Sequence, residues 1–277
     1  VRQRFENEEL AEMILELDQG NTRGKWRLLR VAPAGVSQVV TRGAFAPGPW
    51  WSAEHLPDAW FQHRPTRVRC GNVAGAQVAQ QIATRLQQEF AVPVAFARVS
   101  PECAGVTCAY QEIGRLGVDR WLAVLAAFAR DSSPALVVDC GSAVTLDLLG
   151  DGGRHLGGYI VPGLGLMRRA LYADTDAVKV DAVFSRGMPL VPGMNTEQAV
   201  NHGLPLMVLG AVEMAQRELL RQLQSVSGTE AAAPRLLVTG GDGAFIASLR
   251  QTPNHSVVEV VDELVMDGLA YADLAEI

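Results

Sequence analysis

MILELDQGNTRGKW, Met13 to Trp26, changes character at Asp18. Up to Leu17 its side chains are apolar or strand-compatible, and from Asp18 through Gln19, Gly20, Asn21 and Thr22 they are turn-forming. The pattern predicts a buried strand that delivers a carboxylate to the mouth of a glycine turn. Ile and Leu suit such a strand, while Gly20 can adopt a positive φ and has no Cβ to block a phosphate group. Asn21 and Thr22 add short donors, Lys25 adds a cation, and Asp18 has the chemistry to hold a metal ion through water. A hairpin turn with an ordinary Asp and Lys accounts for the same letters equally well. Neither named phosphate motif is present: Trp26 follows Lys25 where the Walker pattern requires Ser or Thr, and the spacing is not GxGxxG.

A second copy of the idea lies far downstream. Ala135 to Thr145, ALVVDCGSAVT, is again an apolar strand ending in Asp-x-Gly-hydroxyl, and a further strand runs on to Leu149. Two strand-Asp-x-Gly turns half a chain apart predict two similar lobes facing one cleft. A third glycine turn, Thr239-Gly240-Gly241-Asp242-Gly243, follows the short strand Leu236 to Val238.

The chain of 277 residues is long enough for two lobes with a substantial core. Its net charge of -6 argues against a nucleic-acid binder, which would show a basic face. Only Lys25 and Lys179 are lysines among the 24 basic residues, which draws attention to Lys25. Cys70, Cys103, Cys108 and Cys140 lack zinc-ligand spacing and read as free thiols in a reducing cytosol. No apolar run approaches the roughly 20 residues that span a bilayer. Residues 1–12, charged and without an apolar signal core, read as an extension outside the fold.

Along the chain, returning strand Trp26 to Val31 leads to a bend at Pro33 and Gly35. The segment from Ala44 to Pro65, with Pro47, Pro49, Pro57, Trp50, Trp51 and Trp60, reads as a surface connection carrying a short helix. Strands over Arg67 to Val73 and Val92 to Val99 flank a helix whose Val78, Ile82 and Leu86 recur on one face. A helix from Asp119 to Arg130 follows, with Asp119 placed as an N-cap; a carboxylate at a lobe junction is also suited to take a hydroxyl proton. His155 to Pro162 reads as a strand with His155 exposed, Asp174 to Gly193 as a mobile flap, and Asn195 with Gln198 as a capping pair. A long helix from Glu197 to Leu223 carries Pro205, so a kink or break is expected near Gly203. Ser225 to Pro234 reads as a surface loop, and strand Val257 to Val261 with a helix from Leu264 to Leu274 closes the chain.

The combination DxGN(T/S)xxKW, LGVDRW, DxG(T/S)AxT, HLGGYIVPG and TGGD resembles the type III pantothenate kinases, of the acetate/sugar kinase, Hsp70 and actin superfamily. The likeness runs from Met13 to about Ala270. It implies an α/β fold of two RNase H-like lobes, residues 13–116 and 117–277, around a central nucleotide cleft. It implies a cytoplasmic homodimer that phosphorylates pantothenate with ATP, Mg²⁺ and K⁺ or NH₄⁺, with no nucleic-acid or membrane partner. The roles implied are ATP contacts at Asp18, Gly20, Asn21, Thr22, Lys25, Ser142, Gly240 and Gly241, with Asp18 also on water-bound Mg²⁺. Asp119 becomes the general base, Tyr110, Gly117, Val118, Asp119, Arg120 and Thr196 contact pantothenate, and Asp139 binds the monovalent cation. Ser142 stands where the family has Thr and keeps its hydroxyl. Three alternatives accompany this reading: another small-molecule kinase of the superfamily, a phosphatase or ATPase, and a silent regulatory accessory protein. The last would have lost Asp18, Lys25, Asp119 or Asp139, and this chain has all four.

Overall fold

The computed structural model describes residues 12–32, 35–173, 184–227, 233–250 and 258–277. The expected extension, apart from Glu12, lies outside them, as do Pro33, Val257, the first part of the 174–193 loop and the middle of the 225–234 loop. In chain order the elements are β1 (Glu12–Gln19), β2 (Gly24–Val31), β3 (Ser37–Ala44), α1 (Asp58–His63), β4 (Arg67–Asn72), α2 (Ala76–Phe90) and β5 (Val94–Arg98). A small β6–β7 hairpin (Glu102–Cys103, Val106–Thr107) precedes α3 (Val118–Arg130), β8 (Ala135–Cys140), β9 (Ala143–Leu149), β10 (His155–Pro162) and α4 (Leu164–Ala173). Then come α5 (Thr196–Ser227), β11 (Arg235–Thr239), α6 (Gly243–Leu249), β12 (Val258–Val260), α7 (Leu264–Gly268) and β13 (Asp273–Glu276).

These elements form two compact units. One is drawn from Val1–Ser100, Gly114–Leu122 and Val265–Ile277, the other from Pro101–Ile113 and Ala123–Leu264. In the first unit the sheet order is β13-β5-β4-β1-β2-β3, and in the second it is β10-β9-β8-β11-β12. Both contain the same arrangement: an antiparallel meander of three strands, whose first strand is then joined by two parallel ones. The repeat expected from the two Asp-x-Gly turns is therefore present in the topology.

The closing segment differs from expectation. Only Leu264 to Gly268 is helical, and the chain then extends into β13, which pairs antiparallel with β5 from Asp273↔Arg98 to Glu276↔Ala95. Pairing with an open sheet edge supplies hydrogen bonds that this short tail could not make as an isolated helix. The Trp-rich segment also differs. Trp60 is fully buried, Trp50 and Leu56 nearly so, and they pack into one core with Leu15, Leu17, Val68 and the inner face of α2. Trp60 sits edge-on to Trp26, Phe45 and Trp50, with centroids 5.6, 5.8 and 5.7 Å away. Irregular backbone concealed what the rings do, since each large apolar side chain removed from water contributes about 1.5–3 kcal/mol.

The opposite face of β1 carries charge inside. Glu16 is fully buried and accepts from Arg27 Nε at 2.7 Å and Arg69 Nη1 at 3.4 Å, while Arg27 Nη1 reaches Asp267 of α7 at 2.8 Å. Burial pushes the Glu16 carboxyl above its ordinary value, with the two guanidinium groups pulling against it.

In the second unit β8 and β11 are buried on both faces, and one of these faces packs against α5 and α4. The helix α5 is continuous from Thr196 to Ser227 with Pro205 inside, so of the expected kink or break near Gly203 the break does not occur. Leu204, Val208, Val212, Ala215, Leu219 and Leu223 are buried along one stripe, and this packing outweighs the missing proline donor. At the start of α5 the capping pair forms as expected. Gln198 N donates to Asn195 Oδ1 at 2.8 Å, and Met194 N donates to Gln198 Oε1 at 2.9 Å.

Candidate active site

The first turn joins β1 to β2 in full register, Asp18 opposite Lys25 and Gln19 opposite Gly24. Facing residues of an antiparallel pair share a sheet face, so the pairing puts Asp18 and Lys25 side by side beneath the turn. Gly20 N donates to Arg23 O at 3.1 Å, and Asn21, Thr22 and Arg23 at the tip are exposed. Gly20 is not in the left-handed region, contrary to the expectation of a positive φ. Its lack of a side chain matters for space instead, since a Cβ would lie 3.1 Å from Arg23 O. Behind the turn, burial raises the Cys70 thiol pKa and the Asp18 charge raises it further.

Helix α3 begins at Val118, so Asp119 is the second helical residue and not the N-cap. Its Oδ1 accepts from Arg120 N at 2.8 Å, satisfying one of the donors that a helix start leaves open. The same oxygen lies 2.6 Å from where a Cβ on Gly117 would be. Glycine there lets the carboxylate fold back over the helix start. Arg120 is buried, Asp119 is half-buried, and Gly117, Val118, Asp119 and Arg120 thus form one local group.

The second turn is held by backbone. Asp139 at the end of β8 faces Thr145 of β9 and Thr239 of β11. Gly141 N donates to Ala143 O at 3.0 Å, and Gly163 N to Ser142 O at 3.1 Å, leaving the Ser142 side chain on an exposed residue. A Cβ on Gly163 would lie 2.3 Å from Gly141 O, and one on Gly240 would lie 2.3 Å from Asp139 Oδ1. Gly240 has φ of 89°, where glycine is preferred, and Asp242 N donates to Cys140 O at 3.0 Å. The glycine turn after β11 is thereby pressed against the Asp139 carboxylate, with Gly241 exposed beside it. Cys140 is pushed up to about 12, first by burial and then by the charges of Asp139 and Asp242, and burial also raises Asp242.

Two further candidates fall elsewhere in the second unit. The Tyr110 ring lies nearly parallel to His155, with centroids 6.2 Å apart. His155 is buried rather than exposed, and its Nε2 meets Asp147 Oδ1 at 3.0 Å across the β9–β10 pair. That carboxylate partner is what makes an inward histidine tenable, and strand alternation alone could not reveal it. Thr196 opens α5 and lines a groove of about 680 Å³ with Leu171, Met194, Val200 and Met207.

Among the described residues no group of three or more His, Cys, Asp or Glu gathers as a ready-made metal cage. No described helix is long and apolar enough to cross a membrane.

Sequence reasoning passed over Trp50, whose indole Nε1 donates to Gln19 Oε1 at 2.7 Å. The available signal was the crowding of four of the chain's five tryptophans between Trp26 and Trp60. It also passed over the Glu16–Arg27 pair, although Glu16 within an apolar strand was a signal that a partner must exist.

The two repeated units define a class of fold, two mixed sheets with covering helices, that recurs in solved structures at low sequence identity. A solved Sinorhizobium meliloti protein assigned as a 2-dehydro-3-deoxygalactonokinase superposes with TM-score 0.50 at 15% identity, over 93% of this chain and 97% of that one. A Campylobacter jejuni protein assigned to the Baf family of transcriptional activators gives 0.55 at 19% identity, over 92% and 95%. Sequence narrows the class: the chain belongs to the type III pantothenate kinase family, whose model matches residues 14–218. A relative of that name from Chromohalobacter salexigens is 40% identical over 87% of this chain and 82% of its own. One from Pseudomonas savastanoi pv. phaseolicola is 37% identical over 94% and 98%.

Proposed function

We propose that this enzyme transfers the γ-phosphoryl group of ATP to the primary alcohol of pantothenate, giving 4'-phosphopantothenate and ADP, the first step of coenzyme A biosynthesis. The observation that carries the reading is the Asp18–Lys25 cross-strand pair beneath an exposed, glycine-entered tip, in a chain of this family. Phosphoryl transfer asks a protein for positioning and charge neutralisation more than for covalent chemistry.

In this reading the amides of the Gly20–Thr22 turn and the Lys25 ammonium hold the nucleotide phosphates. Ser142 donates a further hydroxyl, and Gly240 and Gly241 lie against the adenosine. Asp119 accepts the proton of the alcohol as its oxygen bonds to the γ-phosphorus and ADP departs. Arg120 pairs with the pantothenate carboxylate, and Tyr110, Gly117, Val118 and Thr196 complete the substrate contacts. Asp18, half-buried at the end of β1 beside the turn, has the carboxylate to hold a divalent ion through water and phosphate. When bound, that ion neutralises charge on the phosphates. Asp139, cradled where Gly240 leaves room that a Cβ would fill, suits a monovalent cation such as potassium or ammonium.

A homodimer in the cytoplasm completes the proposal. Leu206, Met207 and Met214 of α5 and Leu171 of α4 are large apolar side chains left exposed on the second unit, and a second copy is the occupant proposed for them.

The test is ADP release by purified protein with ATP and Mg²⁺ in potassium or ammonium buffer, with and without pantothenate; release that ignores pantothenate defeats the assignment. Asp119→Asn is expected to lower turnover by about 10²–10⁴-fold while ATP binding survives, and wild-type turnover would place the base elsewhere. Exchanging potassium for sodium is expected to depress the rate, and an unchanged rate would count against Asp139 as a selective cation site.

A further inference from the structure

Strand alternation sends Asp18 and Gln19 to opposite faces of the first sheet. The Asp18 face carries Lys25 and the Glu16–Arg27 pair, so Gln19 turns toward the aromatic core, where it is buried with 5% exposure. Its carboxamide is engaged at both ends. Oε1 accepts from the indole Nε1 of Trp50, and Nε2 donates to the carbonyl oxygen of Gly20, each at 2.7 Å.

The second bond reaches the turn itself. The Gly20 carbonyl and the Asn21 N–H belong to one planar trans peptide and point in opposite directions. Anchoring the oxygen to Gln19 therefore fixes the heading of the Asn21 N–H, the first backbone donor of the exposed tip.

Trp50 is in turn immobilised. It stacks on Phe45 with centroids 4.4 Å apart and planes 8° from parallel, and stands edge-on to Trp60 and Trp51. Phe45 N donates to Gly24 O at 2.8 Å, tying the aromatic segment back to the hairpin. No slack remains beside the carboxamide: a Cβ on Gly24 would lie 2.8 Å from Gln19 Oε1, 3.0 Å from Phe45 and 3.2 Å from Trp50 Nε1.

We propose that Trp50, acting through Gln19, is a positioning residue for the nucleotide phosphates: the indole orients the carboxamide, and the carboxamide orients the first peptide of the turn. The role rests on the assignment of this turn to ATP. A misdirected amide weakens phosphate contact without touching the acceptor alcohol, so the effect belongs to ATP alone.

The experiment compares wild type, Trp50→Phe, Gln19→Met and the double variant by steady-state kinetics, ATP binding calorimetry and thermal melting. Trp50→Phe keeps an aromatic ring and removes the N–H; Gln19→Met keeps the side-chain length, removes both bonds and leaves the aromatic cluster intact should Trp50→Phe fold poorly. Each single variant is expected to raise KM and Kd for ATP by about fivefold to twentyfold, with KM for pantothenate within twofold of wild type. The double variant is expected to be no worse than twofold beyond the Gln19→Met variant, because both changes cut one path. Variants that melt lower but keep the wild-type Kd for ATP would reduce the pair to a structural contact and overturn the proposal, as would effects that multiply. A wild-type protein that binds no ATP overturns the functional reading and this one with it; wild-type binding matched by both single variants overturns only the positioning role.

Discussion

The two Asp-x-Gly turns look alike in sequence and are held in opposite ways. The first has an exposed tip, an ordinary glycine conformation and a side-chain clamp from Gln19 and Trp50 on one flank. The second is gripped mainly by main chain, with Gly163 against Gly141 and Ser142, and Gly240 against the Cys140 backbone and the Asp139 carboxylate. Side-chain clamps fail when a donor or acceptor is removed, whereas backbone contacts fail when atoms are added. The same motif can therefore be sensitive to quite different substitutions.

Gly240→Val should separate the two turns most sharply. It combines a strained positive φ with overlap of main-chain atoms, and a loss of about 3 kcal/mol or more is expected in chemical denaturation. Gly20→Ala, with ordinary φ and a single 3.1 Å approach, should cost about 1 kcal/mol or less. Equal losses would erase the distinction.

The other flank of the first turn offers a comparable test. Arg27→Met leaves Glu16 buried without its nearest partner and should cost about 3–5 kcal/mol, while the joint change of Glu16 and Arg27 to Met should recover much of it. The sign with pH follows from the raised carboxyl. Between the ordinary glutamate value and the higher folded one, the folded state holds more protons, so stability falls as pH rises through that window. Removing Arg27 lifts the folded value further, and the penalty should therefore shrink as the medium is acidified toward the ordinary glutamate value. A penalty independent of pH would show that Glu16 stays charged without Arg27. Trp50→Phe differs from these substitutions in kind, because its signature is in ATP affinity.

Much of this was legible from residue order. The strand Met13 to Leu17, the hairpin at Asp18 and its copy at Asp139 are written in local periodicity and glycine placement, and the repeated sheet order follows from them. The capping pair at Asn195 and Gln198 is local too, and it forms as the letters indicate. Failures came where distant segments meet. The tail after Gly268 has helix-compatible letters and becomes a strand because β5 presents an open edge. His155 reads as exposed until Asp147 is seen beside it, and the tryptophans around Pro49 read as loop until their rings are seen in the core.

By itself the amino-acid order determined that this chain carries two strand-Asp-x-Gly turns, a carboxylate at the start of a helix and a kinase family's motifs, because each is a matter of neighbours along the backbone. Tertiary structure alone decided which way Gln19 faces, what closes over it, and that Gly240 must yield its space to Asp139. Those depend on contacts between residues about 30 to 100 positions apart, brought together by burial of apolar surface, and no local pattern encodes them.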